Sequence, residues 1–329
     1  MAPRKLLLIG GTGHIGTYLV PRLVRSGFAV HVLARHAEPR YADPRLDWPA
    51  VQWIIADRDA EEKSGAWAGR MRAIETDIVI DLTCFTPAQQ QTMYESFHGR
   101  IDHFLHCGTI WAYGPPEKLP YEESHPRRPI SDYGRRKAEI ESFLLDKFRR
   151  ENFPATLIHP GHICGRKWMP VDPQGARDNV EVYRRLATGQ EVVLPSGYAT
   201  LHHVHADDVA RQFELAIHHR ERALGESFSA VAAQALTLTG CCRAVAAMFG
   251  RGPNLRYVPL DEIGQFMSPA AADCVREHAT HSPCCSIAKA QRLLGYQPRY
   301  TSEQIYAECL EHLLETGQLT LPTISPHAG

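Results

Sequence analysis

A doubly wound α/β fold of the Rossmann type, a parallel sheet with a smaller C-terminal substrate domain, is predicted by three observations. Short apolar runs alternate with helical patterns up to Gly165. The first apolar run ends in spaced glycines that open a helix. After Gly165 the rhythm gives way to a Pro- and Gly-rich loop and then to short helices.

Lys5 to Ile9 reads as the first strand, and a helix follows from His14 to Ser26. Gly27 closes that helix, and Pro21 inside it is expected to kink it. Val30 to Ala34 is the second strand. Further strands are expected at Val51 to Ala56, Ile78 to Leu82, His103 to Cys107 and Thr156 to His159. A Gln-rich helix begins near Pro87. A longer one runs from about Ser131 to Arg150, with Ile140, Phe143, Leu144 and Phe148 on one face.

The second half offers a helix over about Asn179 to Thr188 and a strand over Glu191 to Leu194. A His-rich strand then leads to Asp207-Asp208, where an aspartate is expected to cap the next helix. From Thr237 short helices dominate. The division expected is a dinucleotide-binding domain over 1–165 and about 201–232, and a smaller substrate-binding domain over 166–200 and 233–329. The Ser/Pro/Gly-rich tail after Leu319 is expected to fray.

Composition narrows the function classes. The chain has 329 residues, 44% hydrophobic and 22% charged, with a net charge of −1. Charges of both signs are interspersed, so no nucleic-acid partner is expected. The N-terminal apolar run is too short for a signal peptide, and nothing approaches the roughly 20 apolar residues of a membrane span. Nine cysteines without a CxxC pair fit buried thiols in a reducing, cytoplasmic setting. His203 and His205 share a strand face, but no third ligand stands at a telling spacing and no metal is expected.

The glycine segment carries the cofactor. Gly10 permits the tight turn, Gly13 a close approach to pyrophosphate and Gly16 close packing of helix on strand. The phosphates would sit on the helix start at His14 and Ile15, where free N–H groups favour anions. The second strand ends in Ala34-Arg35, with no carboxylate for a ribose 2′-hydroxyl. Arg35 can pair with a 2′-phosphate, so NADP is expected over NAD.

With these features in place, the sequence resembles the extended short-chain dehydrogenase/reductase family, the NAD-dependent epimerase/dehydratase group. Gly10-x-x-Gly13-x-x-Gly16 matches the cofactor turn. Asp57-Arg58 matches the pair whose aspartate contacts adenine, and Asp81-Leu82-Thr83-Cys84 the fourth-strand motif. Cys107 to Gly114 resembles the segment with the catalytic Ser or Thr, and Tyr133-x-x-x-Lys137 the YxxxK motif. Ser286 to Pro298 is similar to the family's C-terminal helix and turn. The resemblance implies a catalytic Thr109, Tyr133 and Lys137. It implies cofactor contacts from Asp57, Arg58, Leu82, Thr83, Pro160 and His162, besides the glycine turn and the Tyr-Lys pair. It also implies a homodimer through the helices near Pro87 and Ser131.

The chemistry of those residues is consistent. Tyr133 and Lys137 are four apart and share a helix face. A phenol with a pKa near 10 is a poor base at neutral pH. A cation about 4 Å away offers roughly the 4 kcal/mol that three units require, at an effective dielectric near 20. Tyr133 would move the hydroxyl proton while Thr109 hydrogen-bonds the reacting oxygen.

The sequence also departs from the family. Ile110-Trp111 stand where dehydratases carry Asp-Glu, which disfavours 4,6-dehydration. His162 stands where nucleotide-sugar enzymes carry Asn, and Leu201 where they carry a pyrophosphate-binding arginine. The reading that follows is hydride transfer at a secondary alcohol or ketone of a sugar-like or secondary-metabolite substrate. The alternatives are a nucleotide-sugar epimerase with retained NAD, and a non-catalytic NADP-sensing or RNA-associated relative.

Overall fold

The computed structural model describes residues 3–41, 43 and 45–321. The end of the tail expected to fray, 322–329, lies outside them. In chain order the first strands are β1 (Lys5–Ile9), β2 (Ala29–Ala34), β3 (Gln52–Ile55), β4 (Ile78–Asp81), β5 (His103–Cys107) and β6 (Ala155–Pro160). There follow β7 (His162–Cys164), β8 (Glu191–Pro195), β9 (Thr200–Leu201), β10 (His203–His205), β11 (Ser227–Ala230), β12 (Leu236–Thr237) and β13 (Asn254–Val258). The helices are α1 (His14–Arg25), α2 (Arg58–Ser64), α3 (Trp67–Ala73), α4 (Pro87–Phe97), α5 (Asp132–Glu151) and α6 (Val180–Thr188). They continue with α7 (Ala206–His218), α8 (Arg220–Ala223), α9 (Leu238–Ala247), α10 (Pro269–His281), α11 (Ala288–Leu294) and α12 (Ser302–Glu315).

The chain divides into two compact units. Unit 1 comprises Met1–Gly161, His205–Ala233 and Cys285–Arg299, and unit 2 His162–Val204, Gln234–Cys284 and Tyr300–Gly329. The return of 285–299 to unit 1 differs from the division read in the sequence. The segment buries Ala290, Leu294 and Tyr296 and is tied by hydrogen bonds: Lys289 Nζ donates to the Ser227 carbonyl at 3.0 Å, Tyr296 Oη to the Val231 carbonyl at 3.1 Å, and the Arg299 N–H to Asp208 at 2.9 Å.

Unit 1 holds a seven-stranded parallel sheet in the order β11-β6-β5-β4-β1-β2-β3, a Rossmann arrangement. The pleat alternates the burial. Leu7, Ile9, Val79 and Phe104 join Trp67, Met71, Met93, Phe97, Ile140 and Leu144 in one core layer. Their neighbours Leu6, Leu8, Ile78 and Ile80, equally buried, point to the opposite face. There α1 and α7 meet through Arg22, which binds Asp207 (Nη2–Oδ1 2.6 Å) and Glu214 (3.3 Å). Pro21 is buried inside α1, which runs on through it. The cap of α7 is a correction: His205 accepts from the Asp207 N–H at 3.0 Å, so its ring takes the role expected of an aspartate. Asp207 and Asp208 are spent on Arg22 and on the Arg299 main chain instead.

Unit 2 is built on three small strand pairs, β8-β13, β9-β12 and β7-β10, the last ending at His205 of unit 1. Its core gathers Val182, Tyr183, Leu186, Val192, Cys241, Val245, Tyr306 and Leu310. His162, His203, His278 and His281 are also buried here. The His162 ring lies 5.8 Å from that of His203 and 5.1 Å from that of His278.

Candidate functional site

Strand order reverses at β1, and the loops beyond the carboxyl ends of β1 and β4 meet there. Ile9 pairs with Asp81, which sets the turn after β1 beside Leu82 and Thr83. Gly10 has φ +82°, and a Cβ there would lie 2.4 Å from Thr83 Cγ2. A Cβ on Gly16 would lie 2.0 Å from the Gly11 carbonyl oxygen, so only glycine lets α1 sit so close.

The start of α1 fits a phosphate. Gly13 brings no side-chain cap and the first turn holds no acid. A Cβ on Gly13 would touch only the Gly10 carbonyl, at 3.4 Å. The first N–H groups of α1, at His14 and Ile15, thus meet no side-chain cap from Gly13. The segment after β2 folds back over the turn. Arg40 N–H donates to the Thr12 carbonyl and Trp48 Nε1 to that of Thr17, both at 3.0 Å, and the Tyr41 ring lies 5.5 Å from that of His14.

Arg35 follows β2 directly, is exposed, and makes no hydrogen bond or ion pair with the described residues. Asp57 caps α2 by accepting from the Ala60 N–H at 3.0 Å. Arg58 turns inward. Its Nη1 lies 2.9 Å from Asp81, its Nε 2.7 Å from Glu62, and its guanidinium 5.1 Å from the centre of the Trp67 ring. Its charge is committed to the end of β4. Asp81 also accepts from the Thr83 N–H at 2.9 Å, which fixes the loop leading to α4.

The other half of the site is where β5 meets α5. Ser131 caps α5, accepting from the Gly134 N–H at 3.2 Å. A Cβ on Gly134 would lie 2.4 Å from the Trp111 carbonyl oxygen. The first turn of α5 thus packs main chain to main chain on the 3-10 turn Ile110–Ala112. Thr109 caps that turn, its Oγ1 accepting from the Trp111 N–H at 3.3 Å, and keeps its own hydroxyl proton to donate. Tyr133 is 37% exposed, enough for a substrate to reach it.

Lys137, one turn further along α5, is buried. Its Nζ donates to the carbonyls of Cys84 and Cys107, both at 2.7 Å. An ammonium has three protons, and among the described residues the third meets no hydrogen-bond acceptor, Nζ lying 5.0 Å from the centre of the Phe85 ring. Burial lowers the Lys137 pKa from its ordinary value, partly opposed by the Cys107 and Cys84 thiols and Asp81. Pro160 ends β6 in unit 1. His162 opens β7 in unit 2, where burial, with His278 and His203, keeps its pKa well below the ordinary one.

Residues 6–230 match the family model of the NAD dependent epimerase/dehydratase family. The chain belongs to that family. It is 26% identical over 204 residues to the 2′-dehydrokanamycin reductase of Streptomyces kanamyceticus, covering 62% of this chain and 55% of the reductase. It is 24% identical over 308 residues to the chloroplast stem-loop binding protein of 41 kDa b of Arabidopsis thaliana, covering 90% of this chain and 76% of that protein. Its fold matches a UDP-glucose 4-epimerase of Thermus thermophilus solved with NAD. The TM-score is 0.69 at 20% identity, covering 94% of this chain and 99% of that one. This epimerase/dehydratase family member thus has the extended short-chain dehydrogenase/reductase fold.

Several residues of the site carry no motif in the sequence. Gly134 sits inside YxxxK, and its need for a bare Cα shows only once Trp111 is opposite it. Arg40, Tyr41 and Trp48 come from a segment without periodicity. Glu141 lies one turn beyond Lys137, and that spacing on the helix was the one available signal for it.

Proposed function

We propose that this chain is an NADP-dependent oxidoreductase acting on a secondary alcohol or ketone of a sugar-like or secondary-metabolite substrate. The observation that carries the reading is the Lys137 ammonium, buried on two carbonyls with one N–H to spare, a helical turn from the accessible Tyr133. The nicotinamide cofactor, when bound, supplies the hydride acceptor or donor. Gly10, Gly13 and Gly16, with the N–H groups of His14 and Ile15, would hold its pyrophosphate. Asp57 with Arg58 would lie toward the adenine, Leu82 and Thr83 along the β4 loop and Pro160 at the end of β6, while His162 is a cofactor contact on the family resemblance alone. Arg35 would take the 2′-phosphate.

Tyr133 exchanges the hydroxyl proton with substrate, as base in oxidation and as acid in reduction. The Lys137 charge makes its phenolate less costly, and its spare N–H holds the nicotinamide ribose. Thr109 donates its hydroxyl proton to the reacting oxygen. Tyr133→Phe is expected to abolish NADPH-dependent reduction of a ketone panel while leaving NADPH binding, followed by fluorescence, intact. Turnover retained in that variant refutes the role.

A second reading is sugar epimerisation with retained NAD, which the likeness to UDP-glucose 4-epimerases favours. Denaturing the purified protein and identifying the released nucleotide separates the two: bound NAD selects the epimerase. The leading reading also carries a homodimer through α4 and α5 and a cytoplasmic setting. Since Ile140 and Leu144 of α5 are taken up by the core, such a seam would be polar, built around Gln91, Glu95, Arg135 and Glu139.

A further inference from the structure

Behind Thr109 lies a buried charged network that the proposed hydride transfer leaves unused. Glu141 is two turns beyond Tyr133 and one beyond Lys137 on α5, and it is 2% exposed. Its carboxylate faces Arg127, whose Nε donates to Oε2 at 2.6 Å and whose Nη2 reaches Oε1. Its Oε1 also lies 3.3 Å from Nε2 of His159, a ring with no exposure at all. The other ring nitrogen, Nδ1, lies 3.2 Å from the Thr109 amide nitrogen and 2.9 Å from the Thr109 carbonyl oxygen.

Two further contacts close the arrangement. A Cβ on Gly108 would lie 2.9 Å from the His159 ring, so the ring rests directly on the main chain before Thr109. At the far end of the same turn the Arg127 guanidinium lies 4.0 Å over the Tyr113 ring. Burial pushes the Glu141 carboxyl up, but His159 and Arg127 outweigh it and hold its pKa below the usual carboxylate range. Nδ1 faces both polar groups of the Thr109 peptide, so either tautomer ties the ring to it: protonated, Nδ1 donates to the carbonyl at 2.9 Å, and unprotonated it accepts from the N–H at 3.2 Å.

A bidentate pair with Arg127 would by itself satisfy a buried Glu141. A buried ion pair contributes little net stability, since desolvation offsets its attraction, and imposing a register is one attested use of such a pair. The arm through His159 does impose one, because it ends on the Thr109 peptide.

We propose that Glu141 and His159 are positioning residues that hold the Thr109 main chain in register with α5. The Thr109 hydroxyl and the Tyr133 phenol then share one rigid frame. The proposal rests on the hydride-transfer reading for its consequence in turnover, though not for its geometry.

The test uses Glu141→Gln, with His159→Phe as the second variant, since it keeps the ring and the Glu141–Arg127 pair. In cofactor-free protein, NMR amide exchange at Thr109 and Trp111 is expected to rise about tenfold or more, with β5 unchanged. Turnover is expected to fall roughly 10- to 100-fold at constant KM for cofactor, the scale of a 1 Å misplacement. In a Thr109→Ala background the same substitutions are expected to add no further loss. Unchanged exchange in the variant that folds, or losses that multiply in the double variant, overturns the proposal. Failure of the hydride-transfer reading appears separately, as turnover retained in Tyr133→Phe, while the exchange measurement still judges the network.

Discussion

The two halves of the site in unit 1 are made of different material. At β1–α1 the main chain is the instrument: Gly10 and Gly16 admit close approaches that no side chain allows, and Gly13 places no side-chain cap on the helix start. At β5–α5 side chains do the placing: Lys137 spans to Cys84 and Cys107, and Glu141 reaches Arg127 and His159. A site made of backbone tolerates change at its surface residues but not at its glycines. One made of buried polar side chains depends on partners that come from distant parts of the chain.

The sharpest test of that contrast uses two glycines three residues apart. Gly16→Ala would drive a Cβ to 2.0 Å from the Gly11 carbonyl oxygen, backbone against backbone. We expect a loss of about 3 kcal/mol or more, or no folded protein. Gly13→Ala meets only the Gly10 carbonyl, at 3.4 Å, with the backbone at φ −76°. It should cost about 1 kcal/mol in a urea melt, as for a poorer helix cap. Its main effect should be on NADPH, weakened roughly tenfold or more because the methyl fills the phosphate's place. Equal stability losses in the two variants would break the account of the glycine turn.

That contrast also explains what could be read from the sequence. Glycines at fixed spacing after a strand are a local pattern, so the β1–α1 turn of the Rossmann fold was legible from Lys5 to Gly16. The same holds for Tyr133 and Lys137 on one helix. The clamp on Thr109 was not, because Arg127 and Glu141 are 14 residues apart and His159 lies on another strand. The short helices α2 and α3 escaped for a related reason. α2 is mostly charged, and in α3 only Trp67 and Met71 mark a buried face. β11, reading Ser-Phe-Ser-Ala, shows no strand signal beyond Phe228. It is held as an edge strand by pairing with β6.

Acid should discriminate between the halves next. His103 and His106 of β5 are both buried. Burial, with neighbouring cations, brings the His103 pKa down to about 3 and that of His106 well below its usual value. The folded state therefore binds fewer protons than the unfolded chain, whose histidines titrate near 6.5. Stability is full above about pH 6.5 and falls as pH drops from there toward the lowered values. In unit 2, His203 at about 3 and His278 at about 4 act in the same direction. For His278 alone the loss is about 3 kcal/mol across that window. Glu141, with its pKa held down, contributes stability that is lost only below about pH 4.3. Amide exchange at pH 7 and 5 should show β5 opening before β1, and the reverse order would contradict the assignment.

The smallest effect is expected at Arg35, where the main-chain half carries its one selective side chain. Arg35 is exposed and has no protein partner among the described residues, so Arg35→Ala should leave the melting temperature within error. A guanidinium that meets a 2′-phosphate makes charge-assisted bonds worth about 1.5–3 kcal/mol. NADPH affinity should then fall roughly tenfold or more in the variant, while NADH affinity stays the same. The measurement also bears on the choice between reduction and epimerisation, because the glycine turn would hold the pyrophosphate of either cofactor alike. If wild type binds NADPH and NADH equally, Arg35 is only a solvated surface charge; if wild type prefers NADPH and Arg35→Ala keeps that preference, it must be sought in the segment that folds back over the turn, at Arg40.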